Sequence, residues 1–158
     1  MEYKIRRAKI TDAKQIAKLY LEFWEPHKSA DPLLELKNKM TLKSETDAAE
    51  KTIRKRNVHI LVADLNGKII GFVEFFVKKN EDCFKIKEYG YLNSATTLKE
   101  HRGKGVAKAL TNEAMKFFKD KKIKYVRANV YNSNETAMKT WEKLGFKAQS
   151  TIFIKELK

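Results

Sequence analysis

The segment His101-Arg102-Gly103-Lys104-Gly105-Val106-Ala107-Lys108-Ala109-Leu110 sets two glycines one residue apart among three cations. Glycine lacks Cβ, so the backbone can turn tightly and approach a bulky anion. A helix opening at its end would present N–H groups that have no intrahelical acceptor. Those groups also carry the positive end of the helix dipole, which favours a phosphate. Arg102, Gly103, Lys104, Gly105, Val106, Ala107 and Lys108 are therefore expected to cradle a pyrophosphate. A loop of this composition can also simply turn a corner, so its neighbours decide.

A second chemical feature is Glu74 in Ile70-Gly71-Phe72-Val73-Glu74-Phe75-Phe76. Strand alternation puts Glu74 on a face with Ile70, Phe72 and Phe76. Apolar surroundings drive a carboxylate toward useful base strength. The plainer reading is a glutamate at the sheet margin paired with a lysine. On the next strand-like run, Tyr91 and Asn93 alternate and could hold a water chain that removes a proton instead. Cys83 has no histidine beside it and sits in a polar stretch, so it is not expected to be a nucleophile. His27 and His101 lack metal-ligand spacing with any carboxylate or cysteine, and no metal is expected.

These residues need elements to hold them. Met1 to Ala8 reads as a strand. Thr11 or Asp12 can cap a helix with Ile16, Leu19, Tyr20 and Phe23 on one face, stopping before Pro26. Asp31-Pro32 begins a second helical run to Met40, and Thr46 to Arg56 a third. Val58 to Asp64 and Ile69 to Val77 are strands joined by a tight turn at Asn66-Gly67. Tyr89 to Leu98 is a strand before the cradle, and the helix after the cradle runs to about Asp120. Tyr125 to Tyr131 is a strand. Asn134 to Leu144 is a helix closed by Gly145. Thr151 to Leu157 is the clearest part of a last strand.

At 158 residues, with 42% hydrophobic content, one domain spanning 1–158 is expected, with a real core. A single cysteine excludes an internal disulfide and suits a reducing cytoplasm. No apolar run approaches membrane-spanning length. The net charge of +14 would suit a polyanionic partner, but the lysines are spread along the chain. Only Arg54-Lys55-Arg56 and Lys119 to Lys124 cluster, near expected helix ends. No nucleic-acid motif is recognisable, so neither nucleic acid nor membrane is an expected partner.

Taken in order, the motifs are informative together. Strand Leu92-Asn93-Ser94-Ala95-Thr96-Thr97 leads into Arg102-x-x-Gly105-x-Ala107. Asn134-x-x-Ala137-x-x-x-Trp141-Glu142-Lys143-Leu144-Gly145-Phe146 follows. This set, covering roughly Leu92 to Phe146, resembles the GCN5-related N-acetyltransferase (GNAT) superfamily. The resemblance implies an α/β fold: a mixed, mostly antiparallel twisted sheet of six to seven strands, splayed at the cofactor site, with helices on both faces. It implies acetyl-CoA as cosubstrate and transfer of acetyl to an amine of a small molecule or a protein by direct attack. It maps the pyrophosphate to the cradle and the pantetheine arm to Ala95 and Thr97. It maps the pantetheine region to Asn134, and an oxyanion-stabilising N–H to Thr96 or Thr97. The first helical region walls the acceptor site in the superfamily, which makes Trp24, Glu25 and His27 acceptor candidates. A homodimer is common there.

The chain departs from the pattern twice. Trp141 stands where a tyrosine often protonates the thiolate, and an indole is no practical proton source. Trp141 can instead pack against the pantetheine arm. The strand before the cradle carries no carboxylate, which turns attention to Glu74. A CoA-binding member of weak activity is the alternative these departures motivate. A nucleic-acid-binding module is a more remote one.

Overall fold

The computed structural model describes residues 2–24, 33 and 40–157. In chain order the elements are β1 (Lys4–Arg7), α1 (Ala13–Trp24), α2 (Leu42–Arg54), β2 (Val58–Leu65) and β3 (Lys68–Lys79). They continue with β4 (Glu88–Thr97), α3 (Val106–Asp120), β5 (Val126–Ala128) and α4 (Glu135–Lys143). One sheet contains all five strands in the order β1-β2-β3-β4-β5. Neighbours through β4 are antiparallel, and β5 runs parallel to β4. The mixed α/β architecture is as expected, with five strands among the described residues against the six to seven expected.

Helices cover both faces. On one, Ala13, Ile16 and Leu19 of α1 and Ala49 of α2 pack against Ile60, Val62 and Phe72. On the other, Val106, Leu110, Ala114 and Phe118 of α3 pack against Ala63, Val73, Phe75 and Leu92. Residues 69–75 of β3 are buried throughout, because this strand is central and both its faces are covered. Truncating such a phenylalanine to alanine costs about 3–5 kcal/mol. Asn66 and Gly67 both take positive φ, 51° and 88°, as the β2–β3 turn requires.

Arg6 ties the start of the chain to two other elements. It donates to Asp12 at 2.7 and 3.0 Å and to Asp64 at 2.8 Å. Burial opposes the charge on Asp12, but hydrogen bonds from Arg6 and the Lys9 N–H outweigh it and hold the carboxyl below its usual range. Asp64 is held low chiefly by Arg6, with help from the Gly67 N–H.

Three expectations change. α2 starts at Leu42 instead of Thr46, because Thr41 and Ser44 form a reciprocal cap. The helical run from Asp31 to Met40 lies mostly outside the described residues. Residues 147–157 form no strand, and Ile152, Phe153 and Leu157 are exposed. Strand propensity needs a partner ladder, and β5 offers only three residues.

Candidate functional site

β4 is paired unequally on its two sides. Toward β3 the ladder reaches Thr97. Toward β5 it covers only Gly90 to Leu92. From Asn93 to Thr97 the peptide groups on the β5 side therefore have no partner strand among the described residues. This splay turns a stretch of sheet into an open row of donors and acceptors. Ala95 and Thr96 are half-buried along it, and Thr97 is buried.

The cradle follows directly. A short 3-10 turn at Lys99–His101 leads into the loop. Gly103 and Gly105 adopt φ of +72° and +79°. A Cβ added at either would meet nothing within 4 Å. The glycines are thus required by backbone conformation, and the space beside them is open. Gly105 caps α3 without any side-chain hydrogen bond. The first helical bond runs from Ala109 N–H to the Gly105 carbonyl at 2.9 Å. The N–H groups of Val106, Ala107 and Lys108 come before it. Lys104 and Lys108 are exposed at this end, while Val106 anchors the turn in the core. Arg102 donates through Nε to the Thr97 carbonyl at 3.1 Å, fastening the loop to the end of β4. Thr97 Oγ1 and His101 Nδ1 are buried at its root with no partner among the described residues. Unsatisfied donors, adjacent cations and open space fit a phosphorylated ligand.

Glu74 is 7% exposed, on the face covered by α1. Its Oε1 accepts from Asn93 Nδ2 at 2.8 Å. Its Oε2 accepts from the Tyr20 hydroxyl. A bulge makes the first contact available. Glu74 pairs with Ser94, and the next residue, Phe75, pairs with Leu92. Asn93 is the extra residue. It is also the first residue beyond the last β4–β5 pair, so the carboxylate cluster lies at the apex of the splay. Tyr20 stacks on Phe72 with centroids 4.6 Å apart. Burial, then the charge of Glu74 and the hydrogen bond to it, push its hydroxyl far above the ordinary phenol range, partly opposed by Ser94. Tyr20 stays protonated and donates.

Sequence reasoning missed Tyr20, which helical periodicity assigns to the core. The available signal was chemical: a buried tyrosine hydroxyl needs a partner, and a buried carboxylate needs donors. Ile70 also changes sides. Ala63 pairs with Gly71 and Asp64 with Ile69, so Ile70 is a bulge residue and packs in the α3-side core, away from Glu74. Phe72 remains with Glu74 as expected. Tyr91 pairs with Phe76, lies against its ring at 5.3 Å and sits under Lys78.

Asn134 Oδ1 accepts from Ala137 N–H at 3.0 Å and caps α4. Trp141 is half-buried, edge-on to Phe146 at 4.9 Å, and packs on the α3-side core. Trp24 closes α1 in edge contact with Phe23. Glu25 and His27 lie outside the described residues. Among the described residues no group of three His, Cys, Asp or Glu could hold a metal. No helix among them is long and apolar enough to cross a membrane.

Comparison with known proteins gives one profile match, to the acetyltransferase (GNAT) family over residues 13–146. A tetramutant of a Bacillus halodurans protein is similar in structure, with a TM-score of 0.84 at 18% identity, covering 98% of this chain and 99% of that one. The aminoglycoside N-acetyltransferase AAC(6')-Iy in complex with CoA gives 0.78 at 18% identity, with 98% and 95% covered. A ribosomal-protein-alanine N-acetyltransferase from Brucella melitensis biovar Abortus 2308 gives 0.72 at 21% identity, with 99% and 100% covered. At these identities the likeness is one of fold. No curated protein matches the sequence.

Proposed function

The chain belongs to the acetyltransferase (GNAT) family and is by that membership an acetyl-CoA-dependent N-acetyltransferase, and we propose that it moves the acetyl group to an amine by direct attack, with Glu74 as general base. The observation that carries this reading is the position of the Tyr20–Glu74–Asn93 cluster at the apex of the splay, where a thioester on a pantetheine arm would end. Binding CoA has no use for a carboxylate at this point, whereas proton removal needs an acceptor there, and Glu74 is one. That favours a working enzyme over a CoA-binding member of weak activity.

In this reading the N–H groups of residues 103–108 take the pyrophosphate, helped by Lys104 and Lys108. Arg102 holds the loop in register through Thr97. The open edge of β4, including Ala95, Thr96 and Thr97, pairs with the amides of the arm. A backbone N–H of β4 beside Asn93 donates to the thioester oxygen as charge develops there. Thr96 and Thr97, about 10 Å or more further along the strand, lie toward the pyrophosphate instead of the thioester. Glu74 accepts the amine's proton, directly or through one water, while Tyr20 and Asn93 hold its two oxygens. Trp141 keeps a packing role beside the arm. The departing thiolate takes its proton from water, which is feasible because free thiols have pKa values near about 8.5. Trp24 borders the acceptor side, at the end of α1.

The test is release of free thiol from acetyl-CoA with a panel of amino acids, polyamines, aminoglycosides and peptide N-termini. Amine-dependent release by the parent protein, with the acetylated amine as product, supports the reading. CoA binding without turnover on any amine contradicts it.

A further inference from the structure

Far from the cradle, an open cleft of about 510 Å³ lies between the β3–β4 connection and the turn after α3. Its walls carry Lys79, Lys85, Lys87, Lys121, Lys122 and Lys124. Against these six stand two carboxylates, Asp82 and Glu88, so four positive charges are unbalanced. α3 has 15 residues, which places this end about 22 Å from the cradle. Phosphates of a cosubstrate held at the cradle would not fill it.

What sets the cleft apart is the convergence of six lysines on one concavity. Elsewhere Lys43, Lys68, Lys116 and Lys139 each pair with a carboxylate, and other lysines such as Lys14 and Lys104 make no ion pair among the described residues. None of the six cleft lysines makes an ion pair among the described residues; Lys87 donates only to the Asp82 carbonyl. Cations after a helix can be explained by the helix dipole, but Lys79, Lys85 and Lys87 belong to the β3–β4 hairpin. That hairpin is ordered by Asn80, whose N–H donates to the Lys87 carbonyl at 2.7 Å and whose Nδ2 donates to Ile86 at 3.0 Å. Clustered like charges repel, and an anion relieves them.

Beside the cleft stands Tyr125, 55% exposed, with Lys124 Nζ 5.6 Å from its ring centre. Further along the same edge, Arg127 covers the ring of Tyr89 at 5.1 Å. Cations interleaved with aromatic faces are the composition that holds a single strand, phosphates on the cations and bases on the rings. Lysine suits phosphate as a point charge and lacks the planar fork that matches carboxylates. We propose that this cleft binds the phosphate backbone of a single-stranded nucleic acid, with Tyr125 as a stacking platform and no base-sequence preference. This surface stands apart from the acetyl-transfer site, and the proposal runs counter to the expectation from the sequence that nucleic acid is not a partner.

The experiment is fluorescence anisotropy of a labelled 12-nucleotide oligouridylate, with CoA at saturation so that the cradle does not compete. The parent protein should bind with affinity that falls as salt rises. Lys85→Gln/Lys122→Gln/Lys124→Gln should weaken binding at least about tenfold and lower the log–log salt slope by about two, since each phosphate contact contributes about 0.7. Tyr125→Ala should weaken it about fivefold or more. Lys14→Gln/Lys43→Gln/Lys139→Gln removes the same charge elsewhere and should change it far less. Equal weakening by the two triple variants would assign the binding to net charge and overturn the proposal. So would displacement by polyglutamate as effective as by unlabelled oligouridylate, which would point to an acidic protein, and so would an absence of binding.

Discussion

The cradle and the Glu74 cluster treat polar groups in opposite ways. At the start of α3, backbone donors are left unsatisfied and glycines keep the space beside them open. At Glu74, each carboxylate oxygen has a donor and the residue is almost fully buried. An open set of donors binds what arrives from outside. A closed set fixes one reactive group in one place. The Arg6–Asp12–Asp64 cluster is closed like the second, yet it lies on the β1 side of the fold, away from the splay. Closure alone therefore does not mark a functional residue; closure at the edge of an open region does.

This contrast can be broken at several points. Glu74→Gln keeps the shape and both neighbours, and should lower kcat by about 10²–10³ while leaving CoA affinity unchanged. Its pH–rate profile should lose the acidic limb, because the base is no longer present to be protonated. Steady-state kinetics with a fixed amine measures both. If rate and profile match the parent, Glu74 is structural.

Gly105→Glu should do the converse. It forces a side chain into positive φ and sets a negative charge at the helix N-terminus. CoA affinity by calorimetry should fall by about tenfold or more, with the fold intact by circular dichroism. Unchanged affinity would remove the pyrophosphate from the cradle.

Arg6→Ala should act on stability alone, lowering it by about 2 kcal/mol by removing the cation shared by two carboxylates, which keep only their backbone donors at Lys9 and Gly67. Asp12 and Asp64 both have folded pKa values below the ordinary 3.8. Their contribution is therefore fully present above that value and is lost as pH falls through the folded values. Urea melts should show the parent losing stability below about pH 4, and the variant losing less. A changed KM for acetyl-CoA would contradict the separation of this cluster from the site.

Tyr20→Phe is the mildest. It removes one donor from Glu74 and should reduce kcat by about tenfold, in keeping with a lost hydrogen bond to a charged group. KM for acetyl-CoA should stay as in the parent, since Tyr20 is away from the cradle. A change in melting temperature with an unchanged kcat would make Tyr20 a packing residue only.

What could be read from the sequence was local. The cradle, the Asn66-Gly67 turn and the span of α4 between Asn134 and Gly145 depend on residues within a few positions of one another. Tyr20 and Glu74 are 54 positions apart, and only the packing of α1 on the sheet joins them. The bulges at Ile70 and Asn93 have no sequence signature here, yet each re-aims a side chain relative to strict alternation. Thr151 to Leu157 has strand composition but no ladder to join. Individual side chains also proved busier than their motif suggests: Asn134 caps a helix and Arg102 clamps a strand end.

The most direct measurement is a crystal structure with acetyl-CoA or CoA bound. The expected result has pyrophosphate oxygens within hydrogen-bond distance of the N–H groups of residues 103–108, with the pantetheine arm along Asn93 to Thr97 and its sulfur end toward Glu74. Phosphates seated in the lysine cleft beyond α3, with the cradle bare, would contradict the account.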